Sequence, residues 1–255
     1  ALKEFDWDGY REKYGDIQRL DRILEGEGLD PNDYKLSKQA DVLMIFYLFS
    51  TEELTEIFGR LGYEFTPDMI FKTIDYYTQR TSHGSTLSWI VHAWVMARAD
   101  RERSWKLLSQ ALDSDVHDLQ GGTTAEGIHL GGMAGTVDLI QRCYLGIEPR
   151  ANVLTFNPQL PRELERLKTT VRYRGQTLDV EVTHDKLKVT SRLFTAHPIT
   201  IAYRGRVREI SPGQSFEFLL VRHHGHDQAA KRHARAVLQS QDCRPKPPAQ
   251  NISAE

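Results

Sequence analysis

Apolar residues recur at helical spacing as far as Leu145, and strict alternation takes over beyond it. Trp7, Tyr10, Tyr14, Ile17, Leu20 and Ile23-Leu24 predict a helix over 7–25, stopped by the Gly-, Pro-, Asp- and Asn-rich stretch from Gly26 to Asn32. From Ser37, the density of Val42, Leu43, Ile45, Phe46, Leu48 and Phe49 predicts a largely buried helix. Thr51 with Glu52 and Glu53 starts the next, with Leu54, Ile57, Phe58 and Leu61 on its inner face. Thr66-Pro67-Asp68 starts another, because proline fits the first helical position behind a capping residue. Leu87, Ile90, Val91, Trp94 and Val95 mark a helix from Ser85 to about Ala99, and Trp105, Leu108 and Leu112 one over 101–112.

The last helix is expected from about Thr124 to Leu145, through Ile128, Met133, Val137, Ile140 and Tyr144. Gly131, Gly132 and Gly135 fall inside it. A helical glycine costs roughly 1 kcal/mol relative to alanine, so close approach by a neighbouring helix or a ligand is the expected reason. The count is six or seven helices with short loops and no strand among them.

The pattern changes at Glu148-Pro149. Val153–Phe156, Thr169–Tyr173, Leu178–Val182, Leu187–Thr190, Ile199–Tyr203 and Phe216–Leu220 alternate and are rich in β-branched residues. Asn157-Pro158, Arg174-Gly175, His184-Asp185, Arg204-Gly205 and Pro212-Gly213 punctuate them as turns. The fold class is therefore mainly α with a C-terminal all-β domain: helices over 1–148, a small antiparallel β domain over 149–221, and a disordered tail over 222–255. The tail carries His223-His224-Gly225-His226 and a basic patch at Lys231-Arg232-His233, and nothing around those histidines supplies a rigid metal cage.

Composition narrows the function classes. The 255 residues are 40% hydrophobic and 27% charged, as in ordinary globular proteins. A formal net charge of −2 gives no general attraction to nucleic acid or to an anionic membrane, and no apolar run is long enough to span a bilayer. Two distant cysteines, Cys143 and Cys243, make no disulfide framework and predict a buried thiol and a tail thiol in a reducing cytoplasm. Without a secretory signal at the N-terminus, the expected location is cytoplasmic.

The candidate chemistry lies between Thr81 and Gly135. Thr81-Ser82-His83-Gly84-Ser85-Thr86-Leu87-Ser88 and Gly121 through Gly131 each offer hydroxyls, unobstructed backbone N–H groups and an imidazole, and each opens a helix. Free N–H groups and a positive dipole end make an anion site, so convergence of the two would suit a phosphate. His83 by itself reads as a loop imidazole; beside Ser82, Gly84, Ser85 and Thr86 it reads as an anion ligand. Glu126 and His129, three apart on one helix face, either form a structural pair or let Glu126 orient His129. Lys38 and Gln39 precede the apolar helix, as ordinary exposed polar residues or as donors and acceptors for sugar hydroxyls. Asp113, Asp115 and Asp118 lack the glycine and terminal glutamate of a calcium loop and read as loop solvation and capping. His92, on an apolar helix, reads as a satisfied core histidine.

Lys35-Leu36-Ser37-Lys38-Gln39-Ala40-Asp41-Val42-Leu43, Thr81 through Ser88, and Gly121 through Gly135 resemble, in order, segments of glycoside hydrolase family 65. That family includes the maltose, trehalose, kojibiose and nigerose phosphorylases, and the resemblance spans about residues 8–220. It implies the second half of an (α/α)6 barrel followed by a small antiparallel, jelly-roll-like β domain. It also implies that Lys38 and Gln39 contact a glucosyl unit, while Ser82, His83, Gly84, Ser85 and Thr86, with His129, surround phosphate.

The implied activity is inverting phosphorolysis of an α-glucoside disaccharide, giving β-glucose 1-phosphate, with inorganic phosphate as co-substrate and no further cofactor or metal. The partners are then the disaccharide and phosphate, and the family suggests a homodimer of the full-length enzyme. Phosphate is already an anionic nucleophile, so the chemistry needs an acid but no base carboxylate. The family's acid is a glutamate expected upstream of Ala1, so no catalytic residue is assigned here and the chain alone is expected to be inactive. Two alternatives remain: a hydrolase of trehalase or kojibiose hydrolase type, and a non-catalytic fragment binding carbohydrate or phosphate.

Overall fold

The computed structural model describes residues 2–97, 100–119, 122, 124–193 and 195–220, with Pro67 and Glu126 described through their backbone alone. The expected tail over 222–255, with Cys243, lies outside the described residues. The predicted first helix is two, α1 (Trp7–Tyr14) and α2 (Leu20–Gly26). Asp6 starts α1 by accepting from the Gly9 N–H at 3.0 Å, and Gly15, at φ +71°, ends it in a conformation only glycine adopts cheaply. α3 (Met44–Leu48), α4 (Thr51–Arg60) and α5 (Pro67–Thr78) follow. α4 has a reciprocal cap: the Glu53 N–H donates to Ser50 Oγ, and the Ser50 N–H donates to Glu53 Oε2.

The largely buried helix expected after Ser37 is corrected by the structure. α3 is only five residues long and holds no fully buried side chain; Leu48 is 57% exposed and Phe49 42%. Phe71, on α5, is 50% exposed. Apolar density is not burial: Met44, Phe46 and Tyr47 pack against the core, while Leu48 and Phe49 meet no covering element among the described residues.

The core belongs to α6 (Thr86–Met96), buried almost all round, as a helix apolar on every side must be. α7 (Arg101–Asp113) packs against it, and Ser104 Oγ donates to the Ala93 carbonyl at 2.7 Å while sharing a hydrogen bond with Tyr144 Oη. Trp94 Nε1 donates to the Phe46 carbonyl and ties α3 to the same helix.

The helix expected from Thr124 to Leu145 is also corrected. A short 3-10 turn at Thr124–Glu126 precedes α8 (Leu130–Asp138), which runs into a π-helical turn at Leu139–Tyr144. Gly127, at φ +102°, separates the turn from α8. Glycines set the packing of α8 on α6. A Cβ on Gly132 would lie 2.6 Å from Thr86 Cγ2, and one on Gly135 2.8 Å from Ile90 Cγ2. A neighbouring helix is therefore the reason for those two; Gly131 meets nothing within 4 Å.

The strands are β1 (Ile147–Arg150), β2 (Val153–Phe156), β3 (Arg166–Tyr173) and β4 (Gln176–Thr183), then β5 (Lys186–Ser191), β6 (Ile199–Tyr203), β7 (Arg206–Ile210) and β8 (Ser215–Leu219). They form two four-stranded sheets, ordered β1-β2-β6-β7 and β3-β4-β5-β8. β1 and β7 carry no alternating apolar signal, and the sequence did not disclose them. The domain is not wholly antiparallel, because β2 pairs with β6 in parallel. Arg174-Gly175 and Arg204-Gly205 have φ of +48°, +81°, +47° and +76°, so each is a two-residue turn whose twist suits a hairpin. Leu178, Val180 and Val182 of β4 and Leu187 and Val189 of β5 share one hydrophobic cluster with α6 and α7. The core is thus continuous across the change from helix to strand.

Candidate functional site

The turn before α6 is zipped to the segment after α2. The Ser37 N–H donates to the Arg80 carbonyl at 2.7 Å, the Ser82 N–H to Ser37 at 3.0 Å, and the Gly84 N–H to Lys38 at 2.8 Å. These bonds correct the expectation of unobstructed N–H groups: Ser82 and Gly84 spend theirs on the neighbouring strand-like segment. They also bring Lys38 beside the 82–86 turn. Gly84 fits closely there, since a Cβ would sit a tight 3.0 Å from the Gln18 carbonyl oxygen and 3.1 Å from Lys38 Cγ.

Ser85 is the N-cap of α6, and its side chain makes no capping hydrogen bond. Ser82 is buried with Oγ 3.4 Å from the Lys38 carbonyl, and Thr86 is 1% exposed in the first turn of α6. Because Thr86 touches Gly132, the N-terminal turns of α6 and α8 meet at this point. Convergence of the two helix starts is thus present, with α8 opening at Leu130 rather than Thr124.

His83 occupies the left-handed region at φ +59°, a conformation uncommon for a residue with a Cβ. Its Nδ1 shares a hydrogen bond with Ser88 Oγ at 3.0 Å, and its ring stands edge-on to His92 with centroids 4.4 Å apart. Burial first, then the neighbouring His92 and Arg103, pushes His83 down to about 3, so the ring is neutral. His92 is not the satisfied core histidine expected. Its Nδ1–H donates to the Ser88 carbonyl at 2.9 Å, but Nε2 is buried without a partner. Burial lowers it to about 4.

His129 is the N-cap residue of α8, and Glu126 does not share a helix with it. Its partner is Asp115, in the loop after α7: Oδ1 accepts from His129 Nδ1 at 2.5 Å and Oδ2 from the His129 N–H at 3.0 Å. Asp118 does what a loop aspartate was expected to do, accepting from the Gly122 N–H. Gly121 and Thr123 of the second cluster lie outside the described residues.

Lys38 and Gln39 are both exposed. Lys38 Nζ is 2.8 Å from Asp21 Oδ2, and Arg19 Nε is 3.3 Å from the other oxygen. Burial pushes Asp21 up, but the hydrogen bonds from Lys38 and Arg19 outweigh it and hold the carboxyl below its ordinary value. Gln39 Nε2 donates to Asp41 Oδ1 at 2.9 Å. Sequence reasoning missed Asp21 and Arg103 as members of this region, and gave Asp115 only a loop and capping role. No local spacing links any of them to the turn, and only chain reversal brings them there. Among the described residues, no group of three or more His, Cys, Asp or Glu side chains is placed to hold a metal. No described helix is long and apolar enough to cross a membrane.

Fold and site together define a mainly helical protein with a polar turn where two helix starts meet, and a β domain behind it. Residues 1–138 match the model of the glycosyl hydrolase family 65 central catalytic domain, and residues 147–209 that of the family 65 C-terminal domain. The chain belongs to glycosyl hydrolase family 65. It is 50% identical over 216 residues to an uncharacterized glycosyl hydrolase of Mycobacterium tuberculosis, covering 85% of this chain and 16% of that protein. It is 38% identical over 191 residues to trehalose 6-phosphate phosphorylase of Lactococcus lactis, covering 74% of this chain and 25% of that one. A solved structure described as a putative kojibiose phosphorylase from human microbiome superposes with a TM-score of 0.63 at 20% identity, over 88% of this chain and 30% of its own. That likeness concerns the fold. The chain therefore spans no more than about a quarter of the length of these two sequence relatives.

Proposed function

We propose that this chain carries the phosphate- and glucosyl-binding part of an inverting α-glucoside phosphorylase, which transfers a glucosyl unit to inorganic phosphate to give β-glucose 1-phosphate. The observation that carries the reading is the meeting of the α6 and α8 N-termini at Thr86 and Gly132, with His83 and His129 beside them. Two positive dipole ends at one point favour a multiply charged anion. Ser82, His83, Gly84, Ser85, Thr86 and His129 form the phosphate side, and Lys38 and Gln39 the sugar side. Lys38 is held between the two by the Gly84 N–H and Asp21.

The nucleophile in this scheme is the phosphate oxygen, held by donors rather than activated by a base. Among the described residues, the carboxylates in contact with these side chains support that choice over hydrolysis, because each is engaged: Asp21 by Lys38 and Arg19, Asp41 by Gln39, and Asp115 by His129. A base for water needs an available carboxylate pair partner to the acid. Among the relatives that carry a specific activity in their names, trehalose 6-phosphate phosphorylase and α,α-trehalose phosphorylase support this reaction class. The scheme assigns the general acid to no residue of this chain.

The test is turnover of trehalose and of trehalose 6-phosphate by the natural full-length protein, with and without inorganic phosphate, followed by phosphorus NMR. The expected result is phosphate-dependent appearance of the β-anomer of glucose 1-phosphate. Glucose release at the same rate in phosphate-free buffer would replace this reading with the hydrolase.

A further inference from the structure

We propose that Asp115 is a positioning residue for the phosphate site, fixing His129 so that the ring meets the anion through Nε2 alone. The inference rests on the phosphate reading given above, and adds to it a residue that does not touch the anion. Asp115 comes from the loop that follows α7, whereas His129 opens α8, so the contact joins two elements. Its side chain is 11% exposed, against 25% for His129.

The geometry is a two-point grip. One carboxylate oxygen takes the His129 backbone N–H at 3.0 Å and the other takes ring Nδ1 at 2.5 Å. An ionised carboxylate only accepts, so the Nδ1 position carries the proton. The backbone contact fixes where the residue starts and the ring contact fixes how it turns. Nδ1 is thereby committed, and the opposite ring nitrogen is the one left to face a ligand. The hydrogen bond at one imidazole nitrogen decides what the other can do. His83 is held differently, by the neutral hydroxyl of Ser88 in a buried setting. The two imidazoles of the site therefore have different supports, a carboxylate for His129 and a hydroxyl for His83.

For metal-ligating histidines, removing the partner that orients the ring typically costs about 10- to 100-fold, and an anion-binding imidazole is expected at the low end. The experiment compares Asp115→Asn and His129→Ala with the unaltered full-length protein, measuring KM for phosphate and KM for disaccharide separately. The expected outcome for Asp115→Asn is a rise of about tenfold in the phosphate KM with the disaccharide KM nearly unchanged. Nitrogen-15 NMR of histidine-labelled, unaltered protein supplies a readout that does not depend on the variant folding; it should find His129 protonated at Nδ1. A His129 ring protonated only at Nε2, or equal rises in both KM values for Asp115→Asn, would overturn the proposal. If His129→Ala raises the phosphate KM and Asp115→Asn does not, the positioning role alone fails. If neither variant moves it, the phosphate reading of His129 fails with it.

Discussion

Replacing Gly132 with alanine tests the packing on which the site depends. The new Cβ would lie 2.6 Å from Thr86 Cγ2, whereas carbon atoms rest at about 3.5–4.0 Å. Relief requires α8 to move off α6 by roughly 1 Å, or Thr86, 1% exposed, to leave its rotamer. Overpacking of this kind costs about 1–3 kcal/mol, and alanine's better helix propensity offsets about 1 kcal/mol of it. A net loss of about 0–2 kcal/mol is therefore expected. Gly131 is the internal control: it precedes Gly132 in the same helix turn and has nothing within 4 Å of its Cβ position. Gly131→Ala, with the same gain in helix propensity and no clash, should be stabilising by about 1 kcal/mol, so the two variants should differ by the overpacking cost of about 1–3 kcal/mol. Urea unfolding followed by tryptophan fluorescence measures this, since Trp89 and Trp94 on α6 are buried. Calorimetry with phosphate should show Gly132→Ala weakened and Gly131→Ala unchanged. Equal stability of the two variants would refute the argument that α8 seats on α6 through this glycine.

Three further outcomes follow from named contacts. Asp21→Asn removes the carboxylate that holds Lys38 Nζ at 2.8 Å; steady-state kinetics should show the disaccharide KM rising about fivefold, with the phosphate KM little changed. His92 is held neutral by burial, lowered to about 4, so the unfolded chain binds more protons below pH ~6.5. Its contribution is present above that pH and is lost as pH falls towards 4, by at most about 3 kcal/mol. His92→Leu should flatten this acid limb in urea unfolding carried out across pH, and an unchanged limb would count against the burial argument. Ser104→Ala strips a fully buried hydroxyl from Ala93 and Tyr144, and should cost about 1–3 kcal/mol in the same unfolding assay.

Much of this protein was written locally. The run from Leu87 to Val95 gave α6 its place because an all-apolar helix has nowhere to go but the core. Arg174-Gly175 and Arg204-Gly205 gave the hairpins because a two-residue turn of that hand needs positive φ at both positions. The Gly132 and Gly135 spacing likewise forecast close approach by a helix or a ligand, and the structure places α6 there. The turn at 82–86 and the pair Lys38-Gln39 stood out in sequence as residue types, and their phosphate and sugar roles remain the proposal made above.

Tertiary structure decided the rest, wherever a side chain's partner comes from a distant part of the chain. Glu126 stood at helical spacing from His129, yet Gly127 breaks the helix and Asp115 takes the ring instead. Asp21 reaches Lys38 only because α2 folds back beside the 37–38 segment. The N–H groups of Ser82 and Gly84 looked available in sequence and are spent on Ser37 and Lys38. Apolar density around α3 named a surface but not its cover, since burial depends on what packs opposite and not on the helix's own residues. Periodicity and turn chemistry act over a few residues and can be read along the chain; ion pairs, spent donors and burial are relations between segments, which exist only once the chain has closed on itself.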